Sequence, residues 1–259
     1  MLIDAHAHLD RYDDKLDSAL KEINHHKIFT LNNSMDIPSY RQNLEIAERC
    51  KFTLPCFGVH PWNAPEYVDH LEDLRNFIEQ SPLLGEIGLD YHSAEDAHQF
   101  PAQRKVFEFF LSAAKEQKKI VNLHARGAGK EVLQLLKDYD IHRAIIHWYS
   151  GPLDIFQELL ARGLYFTIGA EVLYSNHIKT IAQKLPEEQL LTETDNPGGQ
   201  KWLTGEPGMP LLIKDVVQAI AKLRKTTVQV IIQTVQTNFL RLIQDDPWLK
   251  ETYLKVSSL

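Results

Sequence analysis

Cysteine is nearly absent: 259 residues carry two, Cys50 and Cys56. Two thiols build neither a disulfide framework nor a zinc ribbon, and they fit a reducing compartment. Positive charge is also short, since 28 Lys and Arg face 35 Asp and Glu for a formal net charge of −7. A coat for long nucleic acids is therefore excluded, because that needs clustered cations. A small site that handles one phosphate is not excluded, since bound metal ions can supply the charge locally. No apolar run approaches the roughly 18 residues of a membrane span. The N-terminus, Met-Leu-Ile-Asp-Ala-His, has neither a basic n-region nor an apolar h-region. No Ser-, Gly- or Pro-rich linker divides the chain. With 44% hydrophobic and 24% charged residues the composition is globular, which excludes a disordered or collagen-like chain. The expectation is a soluble cytoplasmic protein, one domain over residues 1–259, with no membrane association and no obligate protein partner.

What the chain has in plenty is histidine: 12 of them, more than its Cys, Met and Trp combined. Their meaning depends on where they fall. Short, nearly continuous apolar runs recur at 2–8, 27–33, 52–59, 83–88, 119–123, 143–147, 164–169 and 190–194. Such runs read as strands buried on both faces. Amphipathic stretches of helical length lie between and after them, at 17–26, 39–49, 67–80, 102–117, 130–138, 153–162, 176–185, 211–222 and 227–243. Strand and helix thus alternate eight times, with two helices after the last strand. That pattern implies parallel βαβ units, and eight units leave about 32 residues each, the size of such a crossover. An α/β fold of the (β/α)8 TIM-barrel type is expected; a doubly wound open sheet is the runner-up.

In such barrels the chemistry sits at the C-terminal ends of the strands. Strand 1 ends Asp4-Ala5-His6-Ala7-His8, and alternate residues of a strand face one way. His6 and His8 therefore share a face, either as metal ligands or as two satisfied core histidines. Strand 3 ends in His60, a loop residue or a substrate contact. Strand 4 ends Gly85-Glu86-Ile87-Gly88-Leu89-Asp90-Tyr91, with Glu86 inside an apolar run. A buried lone carboxylate is costly and calls for a cation. Strand 5 ends in His124 and Arg126, strand 6 in His147 and Trp148, strand 8 in Glu193-Thr194-Asp195. Intervals of 26, 38 and 23 residues from His60 through Glu86 and His124 to His147 each fit one βα unit. Scattered residues would not meet successive strand ends so regularly.

His6, His8, Glu86, His124, His147 and Asp195 are too many ligands for one four-coordinate ion. Two divalent ions bridged by a carboxylate would use them all. Glu86, central in strand order, is the natural bridge; His6, His8 and Asp195 complete one ion, His124 and His147 the other. Asp4 is placed to steady a ligand's free ring nitrogen. Imidazole and carboxylate without thiolate suit Zn²⁺, Mn²⁺ or Fe²⁺ and tolerate Mg²⁺. Asp195 can accept a proton from the attacking water. Arg126 and His60 are candidates to hold a phosphate oxygen. Trp62, Tyr91, Trp148, Tyr149 and Trp202 are candidates to stack on a base.

With these residues in hand, the sequence resembles the TatD family of metal-dependent hydrolases in the amidohydrolase superfamily. The likeness runs nearly end to end, through Asp4–Asp10, Gly58–Pro61, Gly85–Tyr91, His124–Arg126, His147 with Ser150-Gly151, Glu193–Asp195 and Asn238-Phe239. The resemblance implies a (β/α)8 barrel, two divalent ions (Mg²⁺, Mn²⁺ or Zn²⁺) and phosphodiester hydrolysis, notably a 3′-to-5′ exonuclease on single-stranded DNA or RNA ends. It also implies Glu86 as bridging ligand and Asp195 as base. The chain departs from the family pattern at Gly127, at Trp148-Tyr149 and at Asn196 to Gly199. These positions line the expected barrel mouth, so they bear on substrate rather than on metal. The alternative is a hydrolase of a small phosphoester, ester or amide on the same metal site.

Overall fold

The eight apolar runs form eight strands. The computed structural model describes residues 1–93 and 97–259. Its strands are β1 (Leu2–Ala7), β2 (Ile28–Asn33), β3 (Thr53–Cys56), β4 (Leu84–Asp90), β5 (Val121–Arg126), β6 (Ala144–Ile146), β7 (Tyr165–Ile168) and β8 (Leu190–Thr192). Every residue of β1, β2 and β4 is buried, as strands covered on both faces require. The helices are α1 (Leu16–His26), α2 (Ile37–Arg49), α3 (Ala64–Tyr67), α4 (Arg75–Gln80), α5 (Phe100–Gln117), α6 (Gly129–Asp138), α7 (Leu153–Ala161), α8 (Asn176–Lys184), α9 (Gly198–Thr204), α10 (Ile213–Leu223), α11 (Val228–Leu242) and α12 (Pro247–Ser257). In α10 the buried residues Ile213, Val216, Val217, Ile220 and Ala221 form the single apolar stripe of a helix packed on a sheet.

Two compact units divide the residues: 1–32, 43–54 and 166–259 in the first, 33–42 and 55–165 in the second. In the first unit, β1 pairs parallel with β2 (Ile3 opposite Phe29) and β7 with β8 (Ile168 opposite Thr192). β8 also runs beside β1, for the Thr192 hydroxyl donates to the Ile3 carbonyl at 2.7 Å. The last strand thus lies next to the first, as the expected architecture demands. Phe29 of β2, Phe239 of α11 and Tyr253 of α12 form an aromatic cluster with ring centroids 5.0–5.5 Å apart.

In the second unit, β4 pairs parallel with β5 and β5 with β6, while Phe57, just past β3, bridges to Leu84. Its core holds Tyr40, Phe57, Phe77 and Phe110, with Phe57 within 5.7 Å of the other three rings.

Three readings of the sequence are corrected. The helix expected at 67–80 is α3, a 3-10 turn at Leu71–Leu74, then α4. Its apolar residues Val68, Leu71 and Leu74 recur every third residue, a spacing that 3-10 turns also satisfy. Four helices follow β8, not two. α9 begins Gly-Gly, which hides it; α12 has a legible start, the Asp246 carboxylate accepting the Leu249 N–H at 3.0 Å before Pro247. The third strand also stops at Cys56, which leaves Phe57 to His60 as connecting chain.

Candidate metal centre

In the first unit the pleat of β1 aims His6 and the following His8 the same way, and both are buried. Their Nε2 atoms are 3.2 Å apart. The chain leaving β8 brings Asp195 to them, its Oδ1 3.4 Å from His8 Nε2 and 3.7 Å from His6 Nε2. Backbone bonds hold this meeting on both sides. The Asp195 N–H donates to the His6 carbonyl at 2.9 Å, and the His8 N–H to the Asn196 carbonyl at 2.9 Å. Asp195 has φ of 52°, a left-handed conformation that Asp tolerates better than most residues. The three donor atoms fit a cation, because ligands of a four-coordinate ion with bonds of about 2.0–2.2 Å lie about 3.3–3.6 Å apart.

Asp4 has a different task from the one expected. Its carboxylate accepts the Thr194 N–H at 2.9 Å, the Thr194 hydroxyl at 2.6 Å and the His6 N–H at 3.4 Å. It clasps the chain just past β8 to β1, two residues before His6. Burial pushes its pKa up to about 7 against the pull of the Thr194 bonds, and the charge of Glu193 adds to the rise.

In the second unit Glu86 is buried within β4. Its Oε1 lies 2.7 Å from His124 Nδ1, 2.8 Å from His147 Nε2 and 3.5 Å from His60 Nε2. The His124 Nδ1 and His147 Nε2 atoms are 3.2 Å apart. Two glycines make this crowding possible. A Cβ on Gly58 would collide with the Glu86 backbone, so only glycine lets the chain after β3 pass there. Gly88 has φ of 143°, and a Cβ on it would collide with the His124 carbonyl. β5 can therefore approach β4 closely where His124 must reach Glu86.

Asp90 is a site residue that the sequence reading passed over. Its Oδ2 accepts from Trp62 Nε1 at 2.9 Å and faces His124 Nε2 at 3.2 Å. Its Oδ1 accepts the backbone N–H groups of His92 and Ser93 at 3.0 and 2.8 Å. Burial pushes the Asp90 pKa up, but the His124 hydrogen bond, the Ser93 N–H, the His124 charge and Trp62 hold it well below the usual carboxylate range. Asp90 is thus an ionised acceptor, and Nε2 of His124 is the donor towards it. Nδ1 is left to offer its lone pair on the Glu86 side, the tautomer a metal-binding imidazole needs. His124 itself has a raised pKa: burial opposes the charge, but bonds to Asp90 and Glu86 outweigh it. A divalent ion would take the place of that proton. The overlooked signal was spacing, since Glu86, Gly88 and Asp90 alternate along one face of β4.

The remaining expected residues fall as follows. His60 lies within the Glu86 group, and its Nδ1 accepts the Trp62 N–H at 3.2 Å. Glu86, His60 and His124 can hold an ion in the second unit, as His6, His8 and Asp195 can in the first. Arg126 ends β5, half-buried, and half-buried Trp148 follows His147 with φ of 38°. Tyr149 is corrected: it is buried, donates to the Pro152 carbonyl at 2.8 Å and stacks on Phe156, so it is core and offers no face to a base. Trp62 and Trp202 are exposed. His25, His70, His92, His98, His142 and His177 are exposed. Among the described residues no helix is long and apolar enough to cross a membrane.

This geometry agrees with what the chain is similar to. The family model described as TatD related DNase matches residues 3–244. The metal-dependent hydrolase YabD of Bacillus subtilis is 29% identical over 261 residues, covering 94% of this chain and 99% of YabD. The human deoxyribonuclease TATDN3 is 27% identical over 260 residues, covering 93% of this chain and 94% of TATDN3. Among solved structures, the TatD homologue YJJV of Escherichia coli K12 superposes with a TM-score of 0.85 at 25% identity, over 93% of this chain and 97% of that one. The phosphotriesterase homology protein of Escherichia coli, at 13% identity, shares the fold with a TM-score of 0.64, over 90% of this chain and 94% of that one. The fold class is the (β/α)8 TIM barrel of metal-dependent hydrolases.

Proposed function

The chain belongs to the TatD-related DNase family of metal-dependent hydrolases, enzymes of ester bonds, and from that premise we propose a phosphodiesterase that removes nucleotides from the 3′ ends of single-stranded DNA or RNA. Its centre would hold two divalent ions, Mg²⁺, Mn²⁺ or Zn²⁺, with His6, His8 and Asp195 as the residues for one, His124 and His147 for the other, and Glu86 serving both. The observation that carries this reading is the single Glu86 oxygen within 2.8 Å of nitrogens from two buried or nearly buried histidines. A carboxylate oxygen that gathers imidazoles in this way suits a cation between them.

When bound, such ions lower the pKa of a coordinated water and neutralise charge on the phosphoryl oxygens. Asp195 accepts the proton that the attacking water gives up. The water oxygen bonds to phosphorus as the bond to the preceding nucleotide's 3′ oxygen breaks; that oxygen leaves with the electron pair and takes up a proton from solvent, to end the shortened strand in a 3′ hydroxyl. Arg126 and His60 hold the non-bridging oxygens, and Trp148 lies beside the substrate. Asp90 keeps His124 in its ligand tautomer. The reading takes residues 1–259 as one hydrolase domain acting in the cytoplasm without an obligate protein partner.

The test is metal-reconstituted hydrolysis of a 3′-labelled single-stranded oligonucleotide beside a panel of small phosphoesters and esters. The expected result is release of the labelled 3′-terminal mononucleotide, reduced at least a hundredfold by Asp195→Ala or Glu86→Ala, in line with the roughly 10²–10⁴-fold worth of a positioned base. Release that survives both substitutions overturns the mechanism. Turnover of a small ester without nucleotide release overturns the substrate and leaves the metal site standing.

A further inference from the structure

Among the described residues, Trp62 is the one large aromatic whose ring is both held at the Glu86 group and open to solvent. It sits in a 3-10 turn, Pro61–Asn63, directly after His60, and is 43% exposed. Its position is fixed from three directions. Its backbone N–H donates to His60 Nδ1 at 3.2 Å, and its indole Nε1 donates to Asp90 Oδ2 at 2.9 Å. Its ring meets the His60 ring edge-on, with centroids 4.6 Å apart. The turn itself is anchored, the His60 N–H donating to the Met35 carbonyl at 2.9 Å and the Asn63 side chain to the same carbonyl at 3.1 Å. His60 in turn lies 3.5 Å from Glu86.

An exposed Trp normally leaves its N–H to water. Here that one polar atom is spent on Asp90, on the same oxygen that faces His124. What remains for solvent is a rigid aromatic surface with no hydrogen-bonding group. Such a surface suits a flat, apolar, polarisable partner, and a nucleobase is that partner in a substrate whose phosphate is cleaved nearby.

We propose that Trp62 is the stacking platform for the base of the 3′-terminal nucleotide; this rests on the nuclease reading above. With its N–H occupied, the ring senses that a base is present and not which base it is. Because Asp90 Oδ2 receives both the indole and His124, the platform is set by the group that orients the ligand histidine.

The experiment compares single-stranded oligonucleotides whose 3′-terminal residue carries thymine or is abasic. Two readouts are taken. One is kcat/KM with Mn²⁺; the other is equilibrium binding by fluorescence anisotropy in EDTA, which needs neither metal nor turnover. Wild type is expected to prefer the base-bearing end about tenfold in both, within the range of base–aromatic stacking. Trp62→Ala should bring the ratio close to one, and Trp62→Phe, which keeps a ring, should retain most of it. A merely structural role would weaken both substrates alike and leave the ratio unchanged, which overturns the proposal. A wild-type ratio of one in both readouts also overturns it. If no oligonucleotide is hydrolysed yet the binding ratio is tenfold and lost in Trp62→Ala, the platform stands and the nuclease reading falls. If nucleotides are released but the ratios are one, the nuclease reading stands and the platform falls.

Discussion

At the scale of single residues, the site depends on which nitrogen each histidine offers. Asp90 decides this for His124 by accepting at Nε2, which leaves Nδ1 towards Glu86. Removing such a carboxylate typically costs about 10–100-fold in metal affinity. Asp90→Ala should therefore weaken binding of Mn²⁺ or Zn²⁺ by that factor in isothermal titration. Trp62→Phe, which removes only the second donor to the same oxygen, should change it less. Unchanged affinity in Asp90→Ala would show that His124 is oriented by something else. The candidate ligands were legible in the sequence because each is a His or acid at the end of an apolar strand core. Asp90 was legible only in its place, on the face of β4 that carries Glu86; its role was not, since that lies in a hydrogen bond to a residue 34 positions away. Asp4 was legible as important and misread in its partner, because strand pairing, not local spacing, brings Thr194 to it.

At the scale of elements, the crowding of β4 against its neighbours is what gathers Glu86, His60 and His124. Gly58 and Gly88 allow it, and their lack of a side chain is the functional requirement. Gly88→Ala must push β5 away or distort β4, a clash of the kind that costs about 1–3 kcal/mol. The expected outcome is a Tm lower by about 2–4 °C for each kcal/mol lost, with weakened metal binding. Gly198, at the start of α9, has open space around the position of a Cβ. Gly198→Ala should leave Tm nearly unchanged, and differential scanning calorimetry of both variants checks the contrast. Equal melting of the two variants would contradict the role given to Gly88. All eight strands were legible, because a strand buried on both faces is a run of apolar residues. The helices were less so. A third-residue repeat fits both a helix and the 3-10 turn at Leu71–Leu74, and the glycines opening α9 carry no helical signal.

At the scale of the whole molecule, the reading takes residues 1–259 as one hydrolase domain, while the contacts fall into two units. The two cysteines report on this. Cys50 belongs to the first unit and Cys56 to the second, and both are buried. Burial pushes both thiols up, Cys56 further than Cys50, so neither offers thiolate in the native state. If the chain opens as one cooperative body, alkylation of the two in increasing urea should rise with a common midpoint, read by mass spectrometry of the labelled peptides. Midpoints more than about 1 M apart would mean two separately stable parts, given denaturant slopes of roughly 1–3 kcal/mol per M for small proteins. Bound ions stabilise the native state by mass action, so EDTA should lower both midpoints together.

The central claim is a centre of two divalent ions that share Glu86. Equilibrium dialysis against Zn²⁺, with the ions per chain counted by elemental mass spectrometry, tests it without any assumption about substrate. Two ions per chain in the wild type are predicted. In Glu86→Ala at least one of them should be lost or bound so weakly that it dialyses away. A wild type that holds a single ion, or a Glu86→Ala chain that keeps two as tightly as the wild type, would contradict it.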